Sequence, residues 1–199
     1  QAGAGRGLGP GTQTYVRANR RRRRDEDWNC ARLFLQACRF LEDNARRDNF
    51  FLWVDCFDPH EPWDAPPQFV RMYDDTPGYD GTIDPRMFAA RNASGLTEPM
   101  RRRIAACYAA KVSWVDRWLG ALLDALEQTR LAPRTAIVLT SDHGTKVGEA
   151  GRFGKGYPVL PEQEGHTPFF VSAPDAGAGR CDAIVQPQDL YATVAALAG

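Results

Sequence analysis

No apolar run in this chain approaches the length of a membrane-spanning helix, and neither sign of charge prevails. Lys plus Arg number 25 and Asp plus Glu number 25, so no net field draws the chain toward nucleic acid or a membrane surface. Cysteine is sparse: Cys30, Cys38, Cys56, Cys107 and Cys181 are odd in number and scattered. None forms Cys-x-x-Cys and none has finger spacing, which argues against a disulfide framework and a zinc finger. Cys30 and Cys38 fall on one expected helix, about 12 Å apart at 1.5 Å per residue, too far to pair. No internal repeat is visible. Gln1 to Gly11 is glycine-rich without an apolar core and does not read as a signal peptide. The opening on Gln1 reads as an incomplete start, which leaves export open.

What is present is the ordinary apolar and charged composition of a soluble globular protein. A chain of 199 residues is near the size of one domain with one substantial core. Residues 1–24 are Gly- and Arg-rich and are expected to be irregular. Arg20 to Arg24 are answered at once by Asp25, Glu26 and Asp27, which reads as a solvated, self-compensating segment. No aromatic side chain is interleaved there to stack bases. A helix is expected from Asp27 to about Arg47, with Leu33, Leu35, Ala37, Phe40 and Leu41 on one broad face and Asp25 or Asp27 as cap. Phe50 to Val54 is a short continuous apolar run that suits a strand buried on both faces. Residues 64–97 are rich in Pro, Gly, Asp and Tyr and read as a long functional loop with short helical pieces. A long helix follows from Thr97 to Gln128, with Thr97 as cap and Pro99 in the first turn. Its stripe is Trp114, Val115, Trp118, Leu119, Leu122, Leu123 and Leu126, which reads as core. Pro133 ends it. Strands are expected at Arg134 to Thr140 and His166 to Ser172, a glycine-rich loop at Gly144 to Gly165, and a closing helix at Gln188 to Leu197. Strands alternating with helices predict an α/β fold, a doubly wound, mostly parallel sheet with helices on both faces.

The chemistry gathers where strands end. Ile137 to Thr140 stops at Ser141, Asp142, His143 and Gly144, placing a carboxylate beside an imidazole where open parallel sheets bind ligands. Two such groups can share one divalent cation, since oxygen and imidazole both suit zinc or manganese. A strand-to-loop turn, with Asp bonding backbone amides and Gly at positive φ, is the plainer reading of those three residues. Phe50 to Val54 stops at Asp55 to Trp63, which holds His60, and a turn histidine satisfied by Asp58 is its plainer reading. The loop Gly151 to Gly156 lets backbone approach a ligand and carries Lys155, otherwise a solvated lysine. Together a metal, an imidazole proton donor and a lysine suit a tetrahedral anion, sulfate or phosphate.

These residues carry a resemblance. Phe51 to Trp63 (FLWVDCFDPHEPW), Tyr108 to Gly120 (YAAKVSWVDRWLG) and Thr140 to Gly144 (TSDHG) stand in an order and spacing that resembles the sulfatase family of the alkaline phosphatase superfamily. Gly148-Glu149, Gly154-Lys155, His166-Thr167-Pro168 and Gln188 to Gly199 (QDLYATVAALAG) extend the likeness over residues 25–199. The resemblance implies an alkaline-phosphatase-like hydrolase domain with one divalent cation (calcium, manganese, magnesium or zinc). It implies Asp142 and His143 as metal ligands, Lys155 on the sulfate or phosphate oxygens, and His60 at the leaving group. The implied substrate is a small-molecule or glycan sulfate or phosphate ester; no nucleic-acid partner is expected.

Two departures qualify it. Many sulfatases place Asn where this chain has His143, and histidine there is commoner in relatives acting on phosphorus esters. That opens a phosphodiesterase, phosphonate hydrolase or phosphoethanolamine transferase as the alternative, and favours a metal more tolerant of nitrogen than calcium. The family's paired amino-terminal aspartates, and its nucleophile in Cys/Ser-x-Pro/Ala-x-Arg, have no match here. None of the five cysteines opens that motif, and Ser172-Ala173-Pro174 lacks its Arg. The chain therefore reads as a partial catalytic domain, residues 25–199, of a longer enzyme, with weak metal binding and no turnover expected of this piece alone. Sulfate release by the 199 residues alone, abolished by His60→Ala, is the result that overturns this. A reading of another class is a non-catalytic module binding polyanions through Arg20 to Arg24, with salt-sensitive heparin or RNA binding that survives Asp142→Ala.

Overall fold

The structure, a computed structural model, describes residues 10–74, 95–156 and 159–199. Helix α4, Glu98–Gln128, is its spine, about 46 Å long at 1.5 Å per residue. It begins where sequence placed it, with Thr97 at the cap position and Pro99 in the first turn. Three apolar clusters lie against it in succession. Ile104, Cys107 and Ala110 pack with Trp63, Val70 and Phe153; Trp114 and Trp118 pack with Cys30, Ala31 and Phe34; Ala125 and Leu126 pack with Leu41 and Leu131. The 3.6-residue period puts those α4 positions on one broad face.

Helix α2, Asn29–Asp43, lies along the middle and end of α4 and buries Cys30, Ala31, Phe34, Ala37 and Leu41. It starts later than the expected Asp27, and neither Asp25 nor Asp27 caps it. The Asp27 carboxylate instead accepts the backbone N–H groups of Arg23 and Arg24 at 2.6 and 2.8 Å, closing a 3-10 turn over Asp25–Asp27. Those bonds hold its carboxyl below the usual range.

The expected irregularity of residues 1–24 does not hold for Pro10–Asn19, which forms helix α1. This region has a tertiary anchor that composition could not reveal: Tyr15 and Arg22 both bind Asp64. Arg22 therefore does not belong to a solvated, self-compensating run; it is half-buried and paired across 42 positions.

Phe50 to Val54 forms no strand ladder among the described residues. It is extended, and alternate side chains face opposite ways, as period-2 geometry demands. Phe50 and Leu52 pack on the Leu41 cluster and Val54 on the Trp114 cluster, while Phe51 and Trp53 are exposed. The run was expected to be buried on both faces and is covered on one, because among the described residues no segment pairs beside it.

The paired strands are antiparallel. Strand β1, Ile137–Thr140, pairs with β4, Phe169–Ser172, placing Ile137 opposite Ser172 and Thr140 opposite Phe169. The connection between them holds strands β2 (Lys146–Val147) and β3 (Phe153–Gly154) and the one-turn helix α5 (Glu162–Gly165). Among its described residues no crossover helix is long enough to return the chain in parallel. The expected loop Gly144 to Gly165 thus contains an antiparallel ribbon, Lys146 opposite Gly154 and Val147 opposite Phe153. Short helix α3, Pro67–Val70, lies in the expected long loop, most of whose remainder is outside the described residues, and α6, Asp189–Ala198, closes the chain. Among the described residues no helix is long and apolar enough to cross a membrane.

Candidate active site

His60, Glu61 and their neighbours stand in a loop with cis peptide bonds before Pro59 and Pro62. The loop is held from beneath by α4. The buried ammonium of Lys111 donates to Asp58 Oδ1 at 2.6 Å and to Asp64 Oδ1 at 3.0 Å, so one cation ties both ends of the turn. Asp64 is also bonded by Arg22 and, at 2.5 Å, by the Tyr15 hydroxyl, while its carbonyl accepts Trp28 Nε1 at 3.0 Å. Burial first, then the Asp64 charge, pushes the Tyr15 hydroxyl well above the usual tyrosine range. Trp63 Nε1 donates to the Pro59 carbonyl at 3.1 Å, closing the loop from inside.

His60 stands in a turn, as the plainer reading had it, but Asp58 is not its partner. Asp58 is engaged by Lys111, and the imidazole turns to Glu61 instead. His60 Nδ1 lies 2.6 Å from the Glu61 carbonyl and 3.1 Å from Glu61 Oε2. Both neighbours accept, so Nδ1 carries a hydrogen. The Phe57 ring stacks on the imidazole with centroids 4.2 Å apart.

The second loop follows β1. His143 Nδ1 lies 2.8 Å from the Gly144 carbonyl, which fixes Nδ1 as donor and gives Nε2 the lone pair. That atom is 3.1 Å from Lys155 Nζ and 3.6 Å from Asp142 Oδ2. Asp142 Oδ1 accepts the His143 amide at 2.8 Å, as the turn reading anticipated, but Gly144 does not take the positive φ that reading expected. Gly144 is needed because its backbone closes on α5: its N–H bonds the Glu164 carbonyl at 2.8 Å, and a Cβ would lie 2.0 Å from the Gln163 carbonyl oxygen.

The third loop follows β3 and delivers Lys155. Gly154, at φ +79°, makes the turn that side chains resist. Gly156 N–H donates to Glu164 Oε2 at 3.0 Å, so Glu164 braces both this loop and the His143 loop. Lys155 Nζ then stands 3.8 Å from Glu61 Oε2. The four residues singled out from sequence are thereby joined: His60 to Glu61, Glu61 to Lys155, Lys155 to His143, and His143 to Asp142. Sequence reasoning missed Glu61 and Lys111 as functional groups. A carboxylate directly after His60 was the available signal for the first; nothing local marks the second.

An oxygen and a nitrogen 3.6 Å apart suit one ion with ligands at about 2.0–2.2 Å, so Asp142 and His143 fit as part of a coordination set. Among the described residues no third His, Cys, Asp or Glu joins them. A cavity of about 250 Å³ is lined by His60, Cys30, Cys56, Asp58, Lys111 and Trp28 but not by Lys155 or His143.

Comparison with known proteins identifies the family and the fold. The sulfatase family model matches residues 10–199. A sulfatase of Formosa agariphila is 33% identical over 148 residues, covering 74% of this chain and 29% of that protein. Choline-sulfatase of Rhizobium meliloti is 31% identical over 178 residues, covering 82% and 34%. The crystal structure of Ps i-CgsB superposes with TM-score 0.61 at 24% identity, over 86% of this chain and 34% of that one. This likeness shows the alkaline-phosphatase-like α/β fold. The chain spans about a third of the length of the curated relatives it matches.

Proposed function

The chain belongs to the sulfatase family, and from that premise we propose that its complete protein hydrolyses a sulfate ester at the linked residues His60, Glu61, Lys155 and His143. One observation carries the reading: three loops distant in sequence bring an imidazole, an ammonium and a second imidazole into a continuous contact path. Residues 25–199 would be the part of the catalytic domain supplied here, braced from before that boundary by Tyr15 and Arg22.

In this reading Lys155 neutralises sulfate oxygens, and the Glu61 carboxylate keeps its ammonium and the His60 ring in register. His60, protonated at both ring nitrogens, passes its Nε2 proton to the departing alkoxide while Nδ1–H stays anchored on Glu61. Asp142 and His143 would hold a divalent cation with ligands from outside the described residues, His143 Nε2 exchanging its Lys155 contact for the cation. Metal binding is typical of the family, and when bound the cation would supply Lewis-acid polarisation of the ester oxygens. The attacking group would come from outside these 199 residues, in keeping with the share of the relatives that the chain spans.

His143 itself supports the phosphorus alternative, because imidazole broadens the metals the site accepts. The two readings separate on the complete protein assayed in parallel with an aryl sulfate and an aryl phosphodiester. A higher kcat/KM on the sulfate is expected. A preference for the phosphodiester that Lys155→Ala removes assigns the site to phosphorus instead.

A further inference from the structure

The arginine run has no part in the proposed chemistry, yet it lies beside it. Arg20 to Arg24 occupies the irregular stretch between α1 and the 3-10 turn Asp25–Asp27. Its middle residue, Arg22, turns inward to Asp64 and lines the same cavity as His60. Arg20, Arg21, Arg23 and Arg24 are exposed. The acids that follow do not neutralise them as their order in sequence suggests. Asp25 reaches away to Arg117 of α4 at 3.5 Å. Asp27 directs its carboxylate to the backbone N–H groups of Arg23 and Arg24, and its charge tempers Arg24. The Arg23 guanidinium donates to the Arg22 carbonyl at 3.0 Å, a neutral partner that leaves its charge in place. Among the described residues none of the four exposed guanidinium groups forms an ion pair with a carboxylate. We propose that Arg20, Arg21, Arg23 and Arg24 form a docking surface for a sulfated polysaccharide, which they hold by its sulfate groups while a neighbouring ester of the same polymer reaches His60.

The inference rests on the sulfate-ester reading above and names the kind of alcohol that carries the ester. Placement comes from Arg22. Consecutive Cα atoms are about 3.8 Å apart, so all four exposed arginines stand within about 8 Å of it along the chain. The buried pair with Asp64 thereby fixes the run beside the cavity that His60 lines. Magnitude selects a polymer. One exposed, salt-screened ion pair contributes about 0–1 kcal/mol, too little to hold a single sulfate ester. A chain that carries many sulfates engages several guanidinium groups at once, and each further contact forms at high effective concentration. The planar fork of each guanidinium suits two oxygens of a tetrahedral anion. Single-stranded nucleic acid fits less well, because the run holds no aromatic side chain on which bases could stack.

The test reads binding and not turnover, so its failure is separate from failure of the sulfatase reading, which the parallel ester assays decide. The complete protein is titrated with dextran sulfate, with uncharged dextran and with polyuridylate at about 50 and about 200 mM salt. Wild type is expected to bind dextran sulfate but not dextran, and to lose about tenfold or more in affinity between the two salt concentrations. Arg20→Gln, Arg21→Gln, Arg23→Gln and Arg24→Gln combined, with Arg22 kept, are expected to weaken low-salt binding about tenfold or more and to flatten its salt dependence. Phenylglyoxal labelling of wild type, mapped by mass spectrometry, decides even if the variant fails to fold. Bound dextran sulfate is expected to protect the four arginines and to leave Arg180, exposed elsewhere on the chain, open to the reagent. Absence of dextran sulfate binding, unchanged affinity in a folded variant, or no protection of the run overturns the proposal. Polyuridylate bound as tightly as dextran sulfate assigns the surface to nucleic acid and overturns it as well.

Discussion

Lys111 sits on a buried turn of α4 and pairs with Asp58 and with Asp64, which Arg22 also holds. Removing one member of a buried pair leaves its partner, here Asp58, uncompensated, at a cost of about 3–5 kcal/mol. Lys111→Met is therefore expected to lower unfolding stability by that amount, measured by denaturant titration; a loss below about 1 kcal/mol contradicts the role. Tyr15 adds a pH dependence. Its hydroxyl titrates above the unfolded value of 10.0, so the folded state keeps a proton that the unfolded chain releases. That contribution is present below pH 10 and is lost as pH rises above it. Thermal melts in strong alkali are expected to fall more steeply for wild type than for Tyr15→Phe, and identical slopes sink the assignment. At this scale the sequence disclosed residues that announce themselves by type and neighbourhood. His60, Asp142, His143 and Lys155 sit in polar turns after apolar runs. Lys111 looks like any helical lysine, because its partners lie 47 and 53 positions away.

Helices were legible because their signal is local. The spacing of Trp114, Trp118 and Leu126 and the Thr97-Glu98-Pro99 start locate α4 with no tertiary information. Trp114 meets Trp28, Phe69 and Trp118 edge to face and is fully buried, so Trp114→Ala is expected to cost about 3–5 kcal/mol by denaturant titration. A cost under 1 kcal/mol would mean that the cluster does not anchor α2. The sheet was less legible, since pairing depends on what lies alongside. Phe50 to Val54 has a strand's composition and alternation without a ladder among the described residues, and β1 meets β4 antiparallel because the connection folds back. The loop between them depends on Gly144. Gly144→Ala is expected to force its Cβ against the Gln163 carbonyl and destabilise by roughly 1–3 kcal/mol or more. Faster amide exchange at residue 144, whose N–H binds Glu164, is the readout; unchanged protection contradicts the packing.

On the scale of the molecule, a helical frame of α2 and α4 supports three loops whose charged groups meet at one edge. The family was legible because its motifs lie in those loops, and the family model spans the chain from residue 10. The pairing of Glu61 with Lys155 was not, since it exists only when loops far apart in sequence are folded together. The central claim is that His60 serves the leaving group while Lys155 serves the anion, and leaving-group dependence separates these roles. The decisive measurement is kcat/KM of the complete protein and of His60→Ala on an alkyl sulfate and on a nitrophenyl sulfate. Loss of proton donation is expected to cost about 10²–10⁴-fold on the alkyl ester and far less on the nitrophenyl ester, whose phenolate departs unaided. Equal losses on both esters would contradict the assignment.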